Sequence, residues 1–158
     1  MLAAAASATK KGGQDLIGGL DIKVQRNSYG RQTDSFVADL DLPFLRSLDV
    51  EQTGEAATPF RGVFIRAPIV EEITLDASNP AEQRSPVEIM GVVTRPAESR
   101  SEAKLSGKSS ERDIIAVRQQ NVFGTSFHPE LTDDTRIHIW WLTQVLQQVV
   151  PQAHVPIR

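Results

Sequence analysis

Cysteine is absent from all 158 residues. That excludes disulfides, thiolate metal sites and any thiol nucleophile supplied by this chain. Long apolar runs are also missing, and nothing approaches the ~20 residues of a transmembrane helix. Met1 to Ala6 is apolar, but it has neither the basic flank nor the longer apolar core of a secretory signal, so a cytoplasmic location is expected. There is no excess of positive charge. A net charge of −3 and a pI near 5.6 give no electrostatic footprint for nucleic acid or for an anionic membrane. No internal repeat is present.

The length suits one domain with a sizeable core and is too short for two. An apolar fraction of 40% with 23% charged residues reads as globular. The domain is expected over 1–150, with a surface insertion at 71–112 and a tail at 151–158. In chain order, the alanine-rich stretch from Leu2 to Thr9 favours helix, with Lys10 and Lys11 in its last turn and Gly12-Gly13 as its stop. It reads as the C-terminal part of a helix. Leu20 to Arg26 alternates apolar and polar residues, as a half-buried strand does. A turn at Asn27-Ser28-Tyr29-Gly30 leads to a second alternating stretch, Asp34 to Asp41, with Phe36, Ala38 and Leu40 on one face. The two strands are expected to pair as a hairpin. Arg31-Gln32 lies between them, either as a solvated turn or as a guanidinium presented to a carboxylate ligand.

Val63-Phe64-Ile65 is a continuous apolar run, which reads as a buried strand of a mostly parallel sheet. Arg66 at its end implies an anionic partner, either a protein carboxylate or a ligand. From Glu71 to Arg112 the chain is rich in Pro, Ser and mixed charge, with one embedded strand at Val87 to Val93. Asp113 to Arg118 is another apolar strand, and Gln119-Gln120-Asn121 turns tightly into a further one. A helix is expected from about Asp134 to Val149, with Ile137, Trp141, Val145 and Val149 forming a core-facing stripe that Trp140, Leu142 and Leu146 widen.

The chemistry concentrates in Ser126-Phe127-His128-Pro129-Glu130-Leu131. Residues two apart in an extended segment point to the same side, so Glu130 is placed to hold one nitrogen of His128 while the other faces a reacting atom. That is the base and orienter of a nucleophilic triad. A structural or incidental His-x-Glu is the alternative. Zinc is not indicated. A deaminase site needs a later Cys pair, and a structural site needs about four ligands, whereas His138 and His154 fall in a helical pattern and in the tail.

Read together, Arg26-Asn27-Ser28-Tyr29-Gly30-Arg31-Gln32-Thr33-Asp34-Ser35-Phe36, Gly62-Val63-Phe64-Ile65-Arg66-Ala67-Pro68 and Thr125-Ser126-Phe127-His128-Pro129-Glu130-Leu131-Thr132 resemble, in this order, the glutaminase subunits of pyridoxal 5′-phosphate synthase. These are class I glutamine amidotransferases. Lys10-Lys11-Gly12-Gly13-Gln14, the long excursion after Pro68 and the Trp140-Trp141 pair are more similar to fungal members than to bacterial ones. The resemblance implies a three-layer α/β sandwich of flavodoxin-like type, and hydrolysis of L-glutamine to glutamate and ammonia. The ammonia would pass to a (β/α)8 synthase subunit as partner. It implies His128 as general base, Glu130 as its orienter, and Arg31, Ile65 and Arg66 at the glutamine. No cofactor and no metal are implied.

The departures concern the family's first strands, its Gly-Gly-Glu-Ser loop and the elbow bearing the cysteine, none of which has a counterpart here. Met1 to Gly13 matches the helix that follows that elbow. The expectation is therefore a truncated relative, inactive as written and poorly soluble alone because the missing strands would leave apolar faces uncovered. Two other readings stay open: a non-catalytic protein that docks on the synthase subunit, and an unrelated small α/β anion-binding domain.

Overall fold

The computed structural model describes residues 1–7, 15–26, 28, 35–48, 58–74, 85–94 and 112–149. Among them, β1 (Ala3–Ser7), β2 (Leu20–Gln25) and β5 (Ile69–Ile73) form one sheet, with β2 in the middle, parallel to β1 and antiparallel to β5. A two-stranded antiparallel ribbon joins β3 (Phe36–Leu40) to β4 (Phe60–Phe64). β6 (Glu88–Thr94), β7 (Arg112–Gln119) and β8 (Val122–Thr125) form an antiparallel meander. The helix α1 (Arg136–Val149) follows.

Period-two patterning explains where the strands lie. Along β2, Leu20, Ile22 and Val24 are buried while Asp21, Lys23 and Gln25 are only half covered. The embedded strand expected near Ile89 is present as β6. The tight turn after Gln119 joins β7 to β8, with Gln120 at a left-handed φ of 53° and Gln119 facing Val122. The larger core cluster holds Leu40, Leu45, Phe60, Phe64, Ile115 and Phe127, each almost fully buried. Each such side chain contributes about 1.5–3 kcal/mol relative to exposure. Its rings interlock, with Phe36 stacked on Phe64 at 4.5 Å and Phe44 at 4.5 Å from Trp140. A smaller cluster joins Ala3, Leu20, Ile22 and Val24 to Val117. The side-chain amide of Gln119 links two sheets: it accepts from Asp21 N–H at 2.8 Å and donates to Asp21 Oδ2 at 2.7 Å and to the Ser85 carbonyl at 2.9 Å.

Several expectations are corrected. The alanine-rich start is strand, not helix. A helix this short gains little from propensity alone, whereas pairing with β2 satisfies its backbone, and Leu20 N–H reaches the Leu2 carbonyl at 3.0 Å. The two alternating strands β2 and β3 do not pair with each other. β3 takes β4 as its partner, in register from Phe36–Phe64 to Leu40–Phe60. The run at Val63 is therefore in an antiparallel ribbon with one covered face: Phe60, Gly62 and Phe64 are buried, Val63 is half-buried and Ile65 is exposed. In α1 only Ile137 and Trp140 are buried and Trp141 is half-buried, while Leu142, Leu146 and Val149 are 60%, 59% and 70% exposed. The turn residues Asn27, Tyr29 and Gly30, most of the 71–112 insertion, and the 151–158 tail with His154 lie outside the described residues.

Candidate active site

β8 ends at Thr125, and the chain is pinned on the way to His128. Ser126 N–H donates to the Ile115 carbonyl of β7 at 2.8 Å, and the Thr125 hydroxyl donates to the Phe127 carbonyl at 3.0 Å. The Phe127 ring is 3% exposed and lies 5.7 and 5.8 Å from the rings of Phe60 and Phe64. His128 N–H then donates to the Val63 carbonyl of β4 at 2.8 Å. Next comes a 3-10 turn, Pro129–Leu131, starting at Pro129 where the ring presets φ. Thr132 closes it, directing its N–H at 3.3 Å and its hydroxyl at 3.1 Å to the Pro129 carbonyl.

This turn, rather than an extended strand, brings the two site residues together. His128 Nδ1 lies 2.8 Å from Glu130 Oε1. An ionised carboxylate only accepts, so Nδ1 carries the hydrogen, and in the neutral imidazole Nε2 has the lone pair. The hydrogen bond from His128 holds the Glu130 carboxyl below the usual carboxylate range, helped by a backbone hydrogen bond and opposed by slight burial. Glu130 is thus anionic throughout the neutral range. Both side chains are open to solvent, with exposures of 40% and 60%. A half-open imidazole with a free Nε2 and an oriented Nδ1 can accept a proton from a group brought to it.

The other sequence motifs converge on the same region. Val63, which receives His128, lies three residues before Arg66, in the segment that leaves β4. Ile65 and Arg66 are both exposed, and Arg66 adopts a left-handed backbone with φ 48°. Such a conformation is strained for a non-glycine residue. Ser28, in the first motif, donates its backbone N–H to the Ala67 carbonyl at 3.2 Å. The three stretches are therefore tied in sequence, Ser28 to Ala67 and Val63 to His128. Arg31 lies outside the described residues.

Sequence reasoning missed the residues that hold this arrangement. Phe127 and Val63 stand inside the quoted motifs, but they act through burial and a backbone carbonyl, roles that a side-chain pattern does not display. Arg136 was also overlooked. Its guanidinium binds both oxygens of Asp134 at 2.6–3.1 Å and the carbonyls of Thr58 and Pro59 at 2.9 and 3.3 Å. Burial alone would raise the Asp134 carboxyl, but the hydrogen bonds and charge of Arg136 outweigh it and leave it below the usual range. The Asp-x-Arg spacing at the helix start was the available signal.

The SNO glutamine amidotransferase family matches residues 2–147. A curated relative from Acidothermus cellulolyticus, the pyridoxal 5′-phosphate synthase subunit PdxT, is 42% identical over 136 residues, covering 86% of this chain and 50% of the relative. The protein of the same name from Methanosarcina acetivorans is 39% identical over 137 residues, covering 87% and 50%. Among solved structures, one described as a glutamine amidotransferase superposes with a TM-score of 0.56 at 30% identity, covering 90% of this chain and 53% of that one. The chain spans about half the length of the curated relatives it matches.

Proposed function

The chain belongs to the SNO glutamine amidotransferase family, and from that premise we propose that it supplies the general base and its orienting carboxylate for glutamine hydrolysis. Its fold is the α/β fold of a glutamine amidotransferase. In the proposed reaction the Nε2 lone pair of His128 takes the proton of a thiol that these 158 residues do not supply. The thiolate adds to the side-chain amide, and the proton goes to the leaving ammonia. Water, deprotonated by the same nitrogen, then cleaves the thioester to glutamate and returns the thiol. Glu130 fixes the tautomer and steadies the imidazolium. Arg66 and Ile65, with Arg31, would face the glutamine, a guanidinium being suited to its α-carboxylate. Ammonia would be used by a pyridoxal 5′-phosphate synthase subunit as partner, in the cytoplasm. Among the described residues no helix is long and apolar enough to cross a membrane. The 2.8 Å contact between His128 and Glu130 carries this reading.

These 158 residues contain no cysteine, so the chain by itself is expected to release no ammonia from L-glutamine, with or without a synthase subunit. Release above a no-enzyme blank that His128→Ala abolishes would refute this. The roles are tested in a chimera that joins a cysteine-bearing segment of the family to this chain. There His128→Asn should abolish turnover, and Glu130→Gln should slow it less. Arg66→Ala should mainly weaken glutamine binding, by the ~1.5–3 kcal/mol of a charge-assisted hydrogen bond. Equal losses for the first two, or an unchanged apparent affinity for the third, would reassign those residues. The missing thiol favours one second reading, a non-catalytic chain that docks on the synthase subunit. An inactive chimera that still binds that subunit would support it.

A further inference from the structure

We propose that Arg136 is a positioning residue for the His128–Glu130 pair, holding the turn that carries Glu130 against the entry to β4. The inference rests on the functional reading above and concerns how that pair is kept in register. The stretch from His128 to Arg136 is fastened at one end to β4 and at the other to the residues that lead into it. At its start, His128 N–H is bound to Val63, near the end of β4. At its end, Arg136 reaches Thr58 and Pro59, the two residues that precede β4. The guanidinium also lies 6.0 Å from the Phe60 ring, the first residue of that strand. Asp134 aims it, accepting from Nε and Nη2 and from the Arg136 backbone N–H. Arg136 and Asp134 side chains are only 11% and 24% exposed, so the bonds between them are largely shielded from water, while the Thr58 and Pro59 carbonyls belong to exposed residues.

Between the two fastenings, Glu130 is far more exposed. Its carboxylate reaches Nδ1 across the Pro129–Leu131 turn, which its own bonds close and the two fastenings hold against β4. A planar guanidinium with five donors serves a carboxylate and two carbonyls at once, which a lysine ammonium does only in part. Arg136 would therefore act on the site through backbone placement, without touching the reacting atoms.

The readout is the tautomer of His128, followed by ¹⁵N shifts in the full chain labelled at histidine. Only three histidines occur, so His138→Gln and His154→Gln variants assign the signals, and a sedimented sample read in the solid state gives the same shifts. The unaltered chain should show the Nδ1–H form as the main neutral species. Glu130→Ala should lose that preference, and Arg136→Gln should lose most of it. Arg136→Lys should fall between Gln and the parent. A parent-like tautomer ratio in Arg136→Gln, with only the thermal transition lowered, would overturn the proposal and leave Arg136 a packing residue. Should Arg136→Gln fail to fold, Arg136→Lys and Asp134→Asn decide: parent-like ratios in both would overturn it, and a shift in either would uphold it. A parent-like ratio in Glu130→Ala would instead show that the pair itself is not made, removing the premise.

Discussion

Asp134 is a carboxylate through which acid should act on the stability of the site. Its folded-state pKa lies below the ordinary value because Arg136 outweighs the effect of burial. A group depressed in this way contributes stability that is fully present above its unfolded value, about 3.9, and is lost as pH falls through the folded one. Stability should therefore decline as pH drops below about 4, and Asp134→Asn should be less stable at neutral pH with a flatter acid limb. Thermal unfolding across that range checks this, and parallel acid limbs for both proteins would contradict it. Glu130 has the same sign of shift, so its pairing with His128 should likewise be lost as acid protonates the carboxylate. At this scale the base and its orienter were readable because their chemistry is local, His128 and Glu130 being two residues apart. Arg136 was not, since its partners at Thr58 and Pro59 are distant in sequence.

β4 is the element on which the site depends, and Gly62 is its most constrained position. A Cβ there would lie 2.5 Å from Leu40 Cδ1 and 3.1 Å from the Phe64 ring. Leu40 and Phe64 are both almost fully buried, so neither has room to yield. Gly62→Ala should cost about 1–3 kcal/mol by overpacking, as measured by denaturant titration. Because β4 carries Val63, the same change should disturb His128 as well. A stability within experimental error of the parent would mean that Leu40 repacks freely. Strand positions were legible from alternation in Leu20–Gln25 and Phe36–Leu40, since burial of one face imposes period two, and from a continuous apolar run within Arg112–Gln119. Strand partners were not. Alternation says which face is covered but not by what, so β2 and β3 looked like a hairpin although they belong to different sheets. Propensity misled at Ala3–Ser7, where backbone pairing with β2 overrides the helical bias of alanine.

For the molecule as a whole, the outer side of α1 is the exposed liability. From Ile137 to Ile157 the sequence has no Asp, Glu, Lys or Arg, and Leu142, Leu146 and Val149 face outward. The purified chain should elute from size exclusion as associated species. Leu142→Glu with Leu146→Glu should shift it toward monomer without lowering its thermal transition. A sharp monomer peak from the parent would show that this face is tolerated in water. The stripe of Ile137, Trp141, Val145 and Val149, widened by Leu142 and Leu146, was visible in the sequence, but amphipathic periodicity does not say whether a stripe meets its own core. The bond from His128 N–H to the Val63 carbonyl has a kinetic meaning too. It joins segments far apart along the chain, so loop-closure entropy must be met before it can form. The β7–β8 hairpin closes over only two residues and should form much earlier. In pulsed hydrogen exchange, the His128 amide should gain protection after the hairpin amides do, making that one proton the clock for assembly of the site.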